Sequence, residues 1–203
     1  MAELTTKIFR QEAKFIAGVA RTDQFPKLFL PQVAFFGKSN VGKSSLINTI
    51  CKRKALARVS HTPGRTQQIN FFSIADKMLI ADLPGYGFAK VPKSQKADWQ
   101  NLITHYLHNE NKLQLVNLLI DARRGIKEND IEIMELLKSC DKNYQIILTK
   151  TDKININDKF VVELKDYLVT LGCLCNVIST SSKNGNGTKD LQLSMVQSIK
   201  QQQ

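Results

Sequence analysis

Gly37-Lys38-Ser39-Asn40-Val41-Gly42-Lys43-Ser44 follows the phosphate-binding pattern G-x-x-x-x-G-K-[ST], and its flanks fit that pattern. Before it runs Gln32-Val33-Ala34-Phe35-Phe36, a short apolar stretch of strand composition. After it, Ser45 to Cys51 sets Leu46, Ile47 and Ile50 at helical spacing. Strand, glycine loop, helix is the context the chemistry needs. The glycines let backbone N–H groups curl round a polyphosphate, and a helix N-terminus adds partial positive charge. Lys43 is then placed to reach the outer phosphates and the Ser44 hydroxyl to hold magnesium. The competing reading is a chance glycine-rich turn before a helix; both flanks weigh against it.

Downstream, two strands are expected at 69–75 and 77–81, joined by a tight turn near Asp76. The second runs into Asp82-Leu83-Pro84-Gly85. An aspartate ending a buried strand after a phosphate loop is the expected anchor for magnesium, and Gly85 leaves its N–H free to approach a terminal phosphate. Alone, that tetrapeptide also reads as a common turn. Leu113 to Ile120 is a nearly continuous apolar run ending at Asp121, as a central parallel strand reads. Tyr144 to Leu148 is the next strand, and it leads into Thr149-Lys150-Thr151-Asp152. The Asp152 carboxylate suits guanine, which offers it N1–H and an exocyclic amine. Adenine offers no such pair, and the unpaired acceptor would cost about 1–3 kcal/mol. The Lys150 stem can lie along the base. A last strand is expected over 173–178, with Cys173 and Cys175 on one face, before Ser179-Thr180-Ser181, whose N–H groups can meet a base carbonyl. Helices are expected over 94–108, 130–140, 156–171 and 191–199. The sum is an α/β protein: a three-layer, six-stranded, mostly parallel sheet with helices on both faces, the ligand lying beyond the strand ends. Residues 1–31 read as an N-terminal arm with a short helix over Glu12 to Ala20, packed on a nucleotide-binding domain over 32–200.

With 203 residues and 42% hydrophobic residues the chain can bury a substantial core, yet no run approaches the ~18 apolar residues of a membrane span. The four cysteines show no paired metal-ligand spacing, and the start lacks a signal-peptide pattern, so a reduced cytoplasmic monomer is expected. His61, His105 and His108 form no metal or triad spacing and read as surface or packing residues. The net charge of +11 favours a polyanionic partner, of which RNA is the abundant cytoplasmic example. Lys52, Arg53, Lys54, Arg58 and Arg65 form one candidate patch, and Arg123, Arg124, Lys150 and Lys153 a second. A merely solvated basic surface is the plainer alternative.

The strings from Val33 to Asn48, Thr62-Pro63-Gly64-Arg65-Thr66-Gln67, and Asp82-Leu83-Pro84-Gly85-Tyr86-Gly87 resemble the EngB family of bacterial ribosome-biogenesis GTP-binding proteins. The resemblance runs roughly from Arg10 to the closing helix. It implies a Ras-like P-loop GTPase fold and a guanine-nucleotide switch in assembly of the large (50S) ribosomal subunit, linked to cell division and septation. It implies magnesium on Ser44 and Thr66, and GTP or GDP against residues 37–44, Gly64-Arg65-Thr66-Gln67-Gln68, 82–85, 149–152 and Ser179-Thr180-Ser181. The last segment departs from the family's usual Phe-Ser-Ser.

Ordinary switch GTPases place a water-positioning glutamine after the D-x-x-G motif, where this chain has Tyr86. Slow intrinsic hydrolysis is therefore expected, with Lys43, Thr66 and Asn40 as candidate catalytic residues and acceleration by a partner or a monovalent cation. Some related GTPases hold potassium with an asparagine at the position of Asn40; the simpler account is that asparagine suits the turn. Thr62 rivals Thr66 as switch threonine, but Pro63 constrains it toward extended backbone. Two other functions compete: a small-molecule kinase or ATPase on the same loop, against which Asp152 argues, and a ribosome-binding module whose hydrolysis is incidental.

Overall fold

A strand buried on both faces must be apolar at every position, and Gln32–Gly37 (β2), Met78–Asp82 (β4), Leu113–Asp121 (β5) and Tyr144–Thr149 (β6) come close to that. In the computed structural model, which describes residues 2–57, 68–87, 93–155 and 158–200, they form the parallel centre of one sheet. Ile69–Ile74 (β3) joins β4 antiparallel, and Val177–Ser179 (β7) extends β6 in parallel. Ala13–Val19 (β1) lies antiparallel on the outer edge of β3. The order across the sheet is β1-β3-β4-β2-β5-β6-β7.

Side chains alternate across β2. Val33 and Phe35 face one layer, with Ile8 and Phe9 of Ala2–Arg10 (α1), Leu46, Ile47 and Ile50 of Lys43–Ile50 (α2), and Leu191, Met195 and Val196 of Thr188–Lys200 (α6). Ala34 and Phe36 face the other, with Leu102, Ile103 and Tyr106 of Lys93–Asn109 (α3), Met134 and Leu137 of Glu128–Ser139 (α4), and Leu168 of Asp158–Thr170 (α5). The expected three layers are present.

Two expectations fail. Ala13–Val19 is a strand, not the helix expected over 12–20, so the described sheet has seven strands rather than six. Phe15, Ile16 and Val19 mimic helical spacing, but β-branched and aromatic residues with Gly18 between them suit a strand as well, and the open edge of β3 takes their backbone hydrogen bonds. The register jumps between Phe15 and Ala17, leaving Phe15 and Ile16 exposed. The arm's helix is α1 instead, and it packs against α6. The last strand begins only at Val177, so Cys173 and Cys175 precede it; Cys173 is buried and Cys175 half-buried. The turn after β3 is tight as expected, with Ala75 and Asp76 both at positive φ and Lys77 N–H donating to Ile74 O at 3.0 Å.

Candidate functional site

All parallel strands end at one rim, and the motif loops emerge there. β2 ends at Gly37, where a Cβ would lie 2.9 Å from Leu119 Cβ and 3.0 Å from the Leu119 carbonyl oxygen on β5, so a side chain there would force a neighbour to move. The loop then turns through Asn40 at φ 63°, closed by Val41 N–H donating to Lys38 O at 3.0 Å, and Gly42 at φ 107° opens α2. Asparagine tolerates that left-handed backbone, which fits the simpler account of Asn40 as a turn residue. The first turn of α2 carries N–H groups without partners inside the helix.

Lys43 extends to Asp82 at the end of β4, and the two make an ion pair between nearly buried side chains. The loop after Asp82 is pressed on the phosphate loop. A Cβ on Gly85 would sit 3.0 Å from Ser39 Oγ and 3.1 Å from Ser39 N. Tyr86 N–H donates to Gly37 O at 3.3 Å, and Ser39 N–H donates to Tyr86 O at 3.1 Å. The Tyr86 side chain turns inward, edge-on to Phe36, and its hydroxyl donates to Asp130 Oδ1 of α4 at 2.5 Å. Burial, reinforced by the Asp130 carboxylate, pushes the phenol pKa well above its usual value. Asp130 Oδ2 in turn accepts Lys127 N–H at 2.8 Å, capping α4.

At the far end of the rim, Thr149 Oγ1 donates to Val41 O at 2.7 Å, tying β6 to the phosphate loop. Lys150, at φ 57°, sends its ammonium to Asn40 O at 2.7 Å and Asp121 Oδ2 at 2.9 Å. Arg123 grips the same carboxylate with Nε at 2.9 Å and Nη2 at 2.7 Å. The Arg123 hydrogen bond, then Lys150, holds the Asp121 carboxyl well below the usual carboxylate range. Asp152 Oδ1 accepts the Ser181 hydroxyl at 2.7 Å, which lowers its pKa. Thr151 Oγ1 donates to Thr180 O at 2.9 Å, so the loop after β7 is joined to the loop after β6. That later loop turns on Gly187 at φ 68°, where a Cβ would lie 1.8 Å from Ser179 O.

Residues 37–44, 82–85, 149–152 and 179–181 thus share one rim. Gln68, half-buried, lies against Gly18 and donates to Asn70 Oδ1 at 2.8 Å. Gly64, Arg65, Thr66 and Gln67, with Arg58, His61 and Thr62, lie outside the described residues. His105 stacks on Phe25, and His108 Nε2 lies 3.5 Å from Cys140 Sγ; among the described residues no cluster could hold a metal through His, Cys, Asp and Glu. Of the basic patches, Lys52, Arg53 and Lys54 are exposed and edge a groove of about 380 Å³ with Ser45, Asn48 and Thr49. Asn48 clamps that segment by exchanging hydrogen bonds with the Ala57 backbone, at 2.8 and 2.9 Å. In the second patch Arg123 and Lys150 are already paired with Asp121. Asp121 and Asp130 were missed in the sequence reading; an acid at the end of a buried strand beside the Thr149–Asp152 loop was the available signal for Asp121.

A phosphate loop between β2 and α2, facing an aspartate on β4 and a Lys-x-Asp loop after β6, defines a P-loop nucleotide-binding protein of the GTPase class. The family described as 50S ribosome-binding GTPase matches residues 32–150. The chain is 56% identical over 197 residues to the "Probable GTP-binding protein EngB" of Rickettsia prowazekii (strain Madrid E), covering 97% of this chain and 92% of that protein. The same-named protein of Rickettsia felis (strain ATCC VR-1525 / URRWXCal2) is 55% identical over 201 residues, covering 97% and 93%. A crystal structure of a probable GTP-binding protein engB superimposes with a TM-score of 0.68 at 25% identity, covering 84% of this chain and 99% of that one. Era in complex with MgGDPNP and nucleotides 1506–1542 of 16S ribosomal RNA shares the fold, with a TM-score of 0.68 at 21% identity over 85% of this chain and 57% of that one. The chain belongs to the EngB family of GTP-binding proteins and is a GTPase.

Proposed function

We propose that this rim binds GTP and GDP in a bacterial cytoplasm, and that the nucleotide state switches the protein on and off the large ribosomal subunit during its assembly, with cell division and septation depending on that step. The observation that carries the reading is the union of the two ends of the rim. Asp152, held by Ser181, would accept a guanine edge, and Lys150 ties that end to the phosphate loop through Asn40 O. On this reading the N–H groups of residues 37–44 cradle the phosphates, Lys43 leaves Asp82 for the outer phosphates, and residues 179–181 meet the base carbonyl. Residues 64–68 would also touch the nucleotide.

Magnesium suits the donors present: the Ser44 hydroxyl in the first turn of α2 and the Asp82 carboxylate are hard oxygen ligands beside Lys43. Ser44 and Thr66 would hold it, with Asp82 behind them. Bound there, the ion would supply positive charge against the charge that develops during hydrolysis. Water attacks the γ-phosphorus in line as its bond to the β–γ bridging oxygen breaks, and Lys43 stabilises the charge that grows on GDP. Tyr86, committed to Asp130, leaves the usual water-positioning place without an amide, so unaided hydrolysis is slow. The same observation favours a second reading, a ribosome-binding module whose hydrolysis is incidental. Stimulation of turnover by 50S subunits favours the switch; ribosome binding with no stimulation favours the module.

The test is affinity for GDP, GTP and ATP with and without purified 50S subunits. Guanine selectivity with tighter 50S association in GTP is expected; equal ATP binding would sink the reading. Turnover in potassium against sodium tests Asn40 as a potassium ligand, and equal rates remove that role. The exposed Lys52, Arg53 and Lys54 are the proposed rRNA contacts, so ribosome binding weakens steeply with salt.

A further inference from the structure

A lysine stem can serve as the floor of a base site only if its ammonium end is pinned, because a free lysine side chain carries about 2 kcal/mol of rotamer entropy. Lys150 is pinned at both ends. Its backbone sits at φ 57° directly after β6, and Gly42 leaves room for the stem, with Lys150 Cε 3.7 Å from where a Cβ would stand. The ammonium has two acceptors, and they differ in kind. Asn40 O belongs to the phosphate loop, whereas Asp121 Oδ2 belongs to the end of β5, one strand over in the sheet. Asp121 is nearly buried and its orientation is not left to Lys150: Arg123 donates to both of its oxygens, from Nε to Oδ1 and from Nη2 to Oδ2, and Arg123 N–H adds a third bond to Oδ1 at 3.1 Å. The carboxylate plane is therefore set by its own strand end before Lys150 reaches it.

We infer that Asp121 is a positioning residue for base recognition: braced by Arg123, it holds the Lys150 ammonium so that the lysine stem lies as a fixed floor under the purine. The inference rests on the proposed reading of the rim as a guanine-nucleotide site. Asp121 touches neither base nor phosphate on this account and acts through Lys150. Its loss affects ligands that carry a base and spares ligands that carry only phosphates. Arg123 acts one step further back, so its replacement has the same signature at smaller size.

The experiment is isothermal titration of the full chain with GDP and with inorganic tripolyphosphate, for wild type, Asp121→Asn, Lys150→Met and the double variant. Removing a charge-assisted bond from the floor weakens GDP about tenfold in Asp121→Asn. Tripolyphosphate affinity is unchanged, which also reports that the variant is folded. In the Lys150→Met background, where the stem remains and the ammonium is gone, Asp121→Asn has no further effect. Equal losses for GDP and tripolyphosphate, full GDP affinity in Asp121→Asn, or an undiminished effect in the Lys150→Met background would each overturn the inference. If Asp121→Asn does not fold, Arg123→Gln carries the test, with a smaller GDP-specific loss expected and a loss shared by tripolyphosphate counting against. Wild-type GDP against ADP separates the two levels. No guanine preference in wild type means that the reading of the site has failed, whereas guanine preference with an inert Asp121 removes only this inference.

Discussion

On the proposed reading the rim has a phosphate end and a base end, and the two are built by different means. At the phosphate end the contacts are mostly backbone to backbone: Tyr86 N–H to Gly37 O, Ser39 N–H to Tyr86 O and Val41 N–H to Lys38 O, with a side chain at Gly37 forcing a shift and one at Gly85 tightly crowded. At the base end they run largely through side chains: Lys150 to Asp121, Arg123 to Asp121, Ser181 to Asp152 and Thr151 to Thr180. The division matches the ligands. Phosphates are common to every nucleotide and are met by N–H groups that any sequence supplies, while a base must be told from its rivals by particular donors and acceptors. The phosphate end should therefore fail when atoms are added, and the base end when charges are removed. Lys43 is the exception, a side chain at the phosphate end, paired there with Asp82.

That exception gives the largest expected effect. Lys43→Ala removes the charge proposed to meet the outer phosphates and leaves the nearly buried Asp82 carboxylate without its cation. GTP affinity falls by roughly 100-fold or more, and competition with a fluorescent nucleotide measures it. A small loss would mean that the backbone N–H groups carry the phosphate end alone.

Gly187→Ala crosses the comparison, since it adds one carbon to the base end. At φ 68°, with Ser179 O 1.8 Å from the new Cβ, the loop must move. A stability loss of about 2–4 kcal/mol in urea is expected, with loss of guanine selectivity as Ser181 leaves Asp152. A stable, selective variant would show that the base end tolerates added atoms after all.

Tyr86→Phe is smaller. It leaves Asp130 Oδ1 without its donor in a buried site, a cost of about 1–2 kcal/mol read as a lower urea midpoint. The backbone bonds of residue 86 to the phosphate loop remain, so GTP affinity holds.

The smallest effect is one of pH. The folded Asp121 carboxyl lies below its unfolded value, so its contribution to stability is complete above about pH 4. It disappears as pH falls from there through the folded pKa. Asp121→Asn should flatten that part of the acid limb of a stability-versus-pH curve; an unchanged limb would say that Arg123 and Lys150 do not depress this carboxyl.

The phosphate loop, the order of β2 to β6, the helices between them and the Thr149–Asp152 motif were legible in the sequence, because each is written in consecutive residues with local physical causes: glycine where φ is positive, helical spacing on α2, unbroken apolar runs in strands buried on both faces. The edge strand β1 was not legible, since Phe15, Ile16 and Val19 fit a helix or a strand and only the open edge of β3 decides between them. Nor were Asp121 and Asp130. Asp121 carries in the sequence only the mark of a buried strand's end and Asp130 none, and the role of each comes from a partner distant in the chain, Lys150 for one and Tyr86 for the other. Local chemistry specified the central strands, the helices between them and the motif loops that emerge at the rim. Which acid holds which donor depended on neighbours that only the folded sheet brings together.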